Sequence, residues 1–80
     1  MVQRCTAAMV VDILHKKVGV PLDTPNLEAA SWEELGVESL GLTETFSSLE
    51  QILDIWLPHE EALQAQSVQE LVSFINSVLA

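Results

Sequence analysis

Apolar residues recur at every third or fourth position in three separate stretches and alternate strictly nowhere, which confines this chain to packed helices. The clearest stretch is Leu42, Phe46, Leu49 and Leu53, at spacings of four, three and four, one face of a helix that must end before Pro58. A second comprises Val68, Leu71, Val72, Ile75 and Leu79. It follows Ser67-Val68-Gln69-Glu70, the pattern of a capping box in which the serine accepts an amide of the first turn and the glutamate reaches back. The third lies over residues 2–18, where Met9, Ile13 and Lys17 fall four apart with Cys5, Val10 and Leu14 beside them, and Gly19 and Pro21 end it.

Between the first two predicted helices the chain runs long without a period, through Pro25, Asn26 and the small residues at 29–31. Ser31-Trp32-Glu33-Glu34 predicts a short turn there, with Ser31 as cap and Glu34 closing a capping box. Another short turn is predicted at 59–63, with Pro58 at its first position and Glu60 and Glu61 at the positive start of the helix. The expected class is all-α: a small bundle of three longer helices, a long loop between helices one and two, and a short third helix. Eighty residues make a single domain, 1–80, with room for one core and none for a large enclosed active site. A folded monomer is expected.

Charge narrows the partners. Twelve acidic residues face three basic ones, Arg4, Lys16 and Lys17, and none follows residue 17. A nucleic-acid backbone or an anionic bilayer would be repelled, whereas basic protein surfaces would be attracted. Cys5 is the one cysteine, so no internal disulfide is possible, and the longest apolar run, residues 7–11, is far short of the roughly 20 residues of a membrane span. A cytoplasmic, complete chain is the expectation.

A serine ahead of an amphipathic helix is ordinarily a cap. Ser39, however, stands within Trp32-Glu33-Glu34-Leu35-Gly36-Val37-Glu38-Ser39-Leu40, followed by Ile55-Trp56-Leu57-Pro58-His59-Glu60-Glu61 and Ser67-Val68-Gln69-Glu70-Leu71. In order and spacing these runs resemble the acyl carrier proteins, from about Trp32 to the end. The resemblance implies a four-helix bundle in which the Ser39 hydroxyl receives 4′-phosphopantetheine from coenzyme A, through a magnesium-dependent phosphopantetheinyl transferase. The terminal thiol of that arm would carry acyl groups as thioesters between enzymes of fatty-acid or polyketide-type biosynthesis, and the chain itself would not be an enzyme.

The residues suit such a role. A phosphodiester on Ser39 would meet the unpaired amides and positive dipole end of helix two, and Gly36 gives the preceding loop access to backbone angles closed to other residues. Leu40 and Leu42 are expected to anchor the helix start. Glu38 stands where the family usually has aspartate and is a weaker cap; Gly41, Thr43 and Ser47 make the adjacent face small and polar. Docking to basic patches on the transferase and on acyl-processing enzymes is assigned to Glu38, Leu40, Thr43, Glu44, Ser47, Glu50 and Asp54.

Other residues carry plainer expectations. Trp32 is assigned to the core and Trp56 is left between packing and partner contact. His15 and His59 have no Cys or His at metal-ligand spacing, Cys5 is a buried small side chain, and Glu33/Glu34 and Glu60/Glu61 diverge on a helix too far to act as acid–base pairs. Two further readings stay open: a peptidyl or aminoacyl carrier, and an acidic helical adaptor with no prosthetic group. A hydrolase using Ser39 lacks a histidine placed by motif to activate it.

Overall fold

Helix one is shorter than its apolar stripe. In the computed structural model, which describes residues 4–80, α1 spans Ala7–Ile13 and continues as a wider π-helical turn over Leu14–Val18. The expected start at residue 2 is not observed: residues 4–6 are non-helical, and residues 1–3 lie outside the described part. Three bonds account for this. Thr6 caps the helix by accepting the Met9 amide, and the Cys5 backbone is committed elsewhere, its N–H donating to Asn76 Oδ1 (2.8 Å) while its carbonyl accepts from Asn76 Nδ2 (3.0 Å).

The long connection is tied down rather than loose. Leu27 is buried, the Glu28 carbonyl accepts the Gln69 amide, and the Trp32 amide donates to the Gln66 carbonyl beside an isolated antiparallel bridge between Ser31 and Ser67. Within it lies the predicted turn as α2, Trp32–Leu35, with both halves of the Ser31–Glu34 capping box formed. Those bonds, the Ser31 backbone N–H first and its hydroxyl second, hold the Glu34 carboxyl below its ordinary range. Trp32 is buried as expected, and its indole N–H donates to the Ala65 carbonyl at 2.8 Å.

The second long helix, α3, spans Ser39–Leu53 and buries Leu42, Phe46, Leu49 and Leu53 on the face read from the spacing. Thr45 shares that face, fully buried, because its hydroxyl returns to the Gly41 carbonyl at 2.8 Å. Two further segments complete the chain, α4 at His59–Ala62 and α5 at Val68–Leu79. Pro58 stands at the N-cap of α4, one place before the position expected for it. Only half of the Ser67 capping box forms: the serine accepts the Glu70 amide, but the Glu70 carboxylate accepts from Gln66 N–H instead of Ser67 N–H. Among the described residues there are thus five α segments and one π turn, two of the α segments single turns, and no strand; the expected four-helix layout was too coarse at the connection between α1 and α3. No helix of the described residues is long and apolar enough to cross a membrane.

The N-terminal approach to α3 depends on one glycine. Gly36 ends α2 at φ +73°, with nothing near the position of an added Cβ. Replacing it with alanine therefore costs only the left-handed backbone, about 1–2 kcal/mol, and a fall in thermal midpoint of about 4–16 °C by circular dichroism is expected.

Candidate functional site

The segment from Gly36 to Leu42 presents one hydroxyl between two buried apolar anchors. Val37 is 6% and Leu42 5% exposed, and between them Glu38, Ser39 and Leu40 face solvent. Leu40, 74% exposed, does not anchor the helix start; that role falls to Leu42 and Val37. The physical reason is angular. Leu40 lies two residues, about 200°, from Leu42, so a helix that buries one turns the other outward. Val37 was missed by sequence reasoning, although its place directly after Leu35-Gly36 was a signal that the chain turns inward there.

Ser39 is the first residue of α3, with Glu38 at the N-cap in an extended conformation and making no side-chain cap bond. The leading amides of a helix have no partner within it, so those at the start of α3 are left to water or to an incoming anion. Thr43 donates its hydroxyl to the Ser39 carbonyl at 3.0 Å, outside the helix's own ladder. Gly41 lies inside the helix, where a Cβ would meet Val18 Cγ1 at 3.3 Å and Val37 Cγ1 at 3.4 Å. Its lack of a side chain is what lets the first turn of α3 close on the end of the π turn, offsetting a helix-propensity loss of about 1 kcal/mol. A groove of about 250 Å³ runs here, lined by Val18, Gly36, Leu40 and Gly41 with Lys17, Glu38 and Glu44 at its edges.

The arrangement suits a phosphodiester on the Ser39 oxygen: the hydroxyl is exposed, the amides beneath it are open, and the helix dipole favours negative charge. No hydrogen bond to Ser39 Oγ occurs among the described residues; His15 Nδ1 pairs with the Val20 carbonyl and His59 Nε2 donates to Glu50 Oε1. Cys5 is buried, which pushes its thiol pKa up, and no group of three or more His, Cys, Asp or Glu among the described residues could hold a metal ion.

The seven residues assigned to docking do not share one state. Glu38, Leu40, Thr43, Glu44, Ser47 and Asp54 are exposed, and Leu40, Thr43, Glu44 and Ser47 follow the three- and four-residue spacing of one helix face. Asp54 ends α3 in a left-handed conformation, φ +53°. Glu50 is different. Its Oε2 accepts the Leu57 amide and its Oε1 the His59 ring, both at 2.9 Å, so the carboxylate ties the loop after α3 to the helix. The Leu57 N–H first, and His59 second, hold the Glu50 carboxyl below its ordinary 4.5. A group with a lowered folded-state pKa contributes stability that is present above 4.5 and is lost as pH falls through the lower folded value. Glu50→Ala is expected to cost about 1–2 kcal/mol at pH 7 by orphaning the Leu57 amide. In paired thermal melts the deficit should shrink below pH 4.5; a gap of constant size down to acid denaturation would contradict the assignment.

Comparison with known proteins agrees with this geometry. The profile of the family described as "Phosphopantetheine attachment site" matches residues 9–75. The acyl carrier protein of Akkermansia muciniphila is 36% identical over 66 residues, covering 82% of this chain and 82% of its own. That of Solidesulfovibrio magneticus is 35% identical over 70 residues, 88% of this chain and 90% of its own. That of Clostridium acetobutylicum is 32% identical over 68 residues, 85% and 88% respectively. Among solved structures, the solution structure of 3-oxo-butyl-ACP, an intermediate mimic from the actinorhodin polyketide synthase of Streptomyces coelicolor, superposes with a TM-score of 0.79 at 25% identity, over 99% of this chain and 95% of that one. Butyryl-ACP from the same synthase gives 0.75 at the same identity and coverage.

Fold and family profile define a helical carrier domain of the phosphopantetheine-attachment class. The chain belongs to the acyl carrier protein family, and its prosthetic group is a covalently attached 4′-phosphopantetheine.

Proposed function

We propose that Ser39 is the residue to which the phosphopantetheine arm is joined, and that the chain, itself converting no substrate, carries acyl intermediates between enzymes of fatty-acid or polyketide-type biosynthesis. The observation that carries this reading is the exposed Ser39 at the first position of α3, above amides that Glu38 leaves uncapped. Once attached, the arm supplies a thiol on which an acyl group is held as a thioester. The chain's own part is presentation. Val37 and Leu42 fix the serine from either side, and the open amides of α3 favour the phosphodiester charge. The base that takes the serine proton comes from the phosphopantetheinyl transferase, which fits a site without a hydrogen-bonded partner for Ser39 Oγ.

Exposed Glu38, Leu40, Thr43, Glu44, Ser47 and Asp54 form the face offered to basic patches on the transferase and on acyl-processing enzymes. Glu50 acts behind that face by holding the loop that follows it. Leu35-Gly36-Val37-Glu38 before the serine supports acyl over aminoacyl cargo, the strong negative charge supports a monomer among basic partners, and the lone Cys5 suits a reducing compartment such as the cytoplasm.

The test is to incubate the protein with coenzyme A, magnesium and a broad-specificity transferase, then to measure intact mass and fragment the product. One added phosphopantetheine, located on Ser39 and on none of the other six serines, is expected. A folded protein that gains no mass would return the reading to the acidic adaptor, and modification of another serine would overturn the assignment of the site.

A further inference from the structure

The loop between α3 and α4 displays a tryptophan to solvent while holding its own backbone still. Trp56 is 77% exposed, yet Leu57 beside it is 1% exposed and donates its amide to Glu50, and the Ile55 amide donates to the Glu50 carbonyl at 3.1 Å. His59 continues the restraint, paired with Glu50 and edge-on to the buried Phe46 ring at 5.3 Å between centroids. A large aromatic left in water on a fixed frame is contact area that a partner can cover at little entropic cost.

The surroundings specify the partner's chemistry. Trp56 lines an open groove of about 550 Å³ together with Pro58, Glu60 and Glu61, and with Glu50 and His59, which are already hydrogen-bonded to each other. Glu60 and Glu61 are exposed and in no ion pair among the described residues, and no Lys or Arg follows residue 17 in the sequence. An indole face next to unneutralised carboxylates matches one common side chain best. Guanidinium stacks flat on an aromatic ring while its N–H groups engage carboxylates in its plane, whereas an ammonium is compact, more strongly hydrated and cannot do both as well.

We propose that the Trp56 groove is a second docking point, separate from the α3 face, and that it takes an arginine side chain from the surface of an acyl-processing enzyme. The identity of the partner rests on the carrier reading; the chemistry of the groove does not.

The indole N–H signals of ¹⁵N-labelled protein give the readout, since Trp32 is bonded inside the core and Trp56 is not. On titration with blocked tetra-arginine, the Trp56 signal should shift saturably while that of Trp32 stays. Blocked tetra-lysine, of equal charge, should bind at least about three-fold more weakly. Trp56→Ala, followed through backbone amides, should lower affinity for the arginine peptide about three- to ten-fold and leave the lysine affinity nearly unchanged. Glu60→Gln with Glu61→Gln should weaken both peptides. Equal affinities for the two peptides, or an arginine affinity unaffected by Trp56→Ala, would overturn the proposal by reducing the groove to part of a diffuse acidic field. Loading of the wild-type chain by the transferase, read by mass, reports on the carrier reading separately.

Discussion

A Ser39→Ala chain incubated with coenzyme A, magnesium and transferase is expected to keep its unmodified mass while the wild type converts fully. The effect is all or none, because the alanine methyl offers no oxygen to esterify. It should also be clean. Ser39 is exposed, makes no side-chain hydrogen bond among the described residues, and sits at the first helical position, where alanine is well tolerated. Helical content and thermal midpoint should therefore match the wild type within about 2–3 °C. Loss of loading together with loss of fold would mean that the hydroxyl is structural, and continued loading would place the arm elsewhere.

Phe46→Ala is expected to have the largest effect on stability. Phe46 is fully buried on the inner face of α3, and its ring meets His59 edge-on, so it joins the main core to the start of α4. Truncating a buried phenylalanine costs about 3–5 kcal/mol, a large share of the roughly 4–12 kcal/mol that holds a domain of this size together. A fall in midpoint of about 15 °C or more, or a chain largely unfolded at 37 °C, is expected from far-ultraviolet circular dichroism. Phe46→Leu, which keeps most of the volume, should cost about 1–2 kcal/mol. If Phe46→Ala melted within a few degrees of the wild type, the ring could not be at the centre of the core.

How much of this was legible follows from where each residue's partners lie. The inner faces of α3 and α5 were readable because helical period alone decides them, and the Ser31–Glu34 box because its partners are three residues apart. The place of Ser39 at the start of α3 was readable from the helical period that follows it, and its exposure from that place. Three features were hidden for a common reason: their partners are distant in sequence or lie in segments without a period. The start of α1 is set by Asn76, 71 residues from Cys5. Glu50 sits where a solvent-facing carboxylate is expected, but Leu57 and His59 come to it from an irregular loop. Gly41 looks like a defect in a helix until Val18 is seen against it. Leu40 was a different kind of error, since its apolar identity outweighed an angle that the helix already fixed.

The clasp between Cys5 and Asn76 makes the segment ahead of α1 and the last turns of α5 neighbours, almost closing the stretch between them into a ring. A short flexible tether could therefore join them with little added loop entropy, and new ends could be opened in an exposed turn such as that around Pro25 and Asn26. The same proximity means that, spliced into a surface loop of a host protein, this domain would hang from a single point with Ser39 still free to be reached.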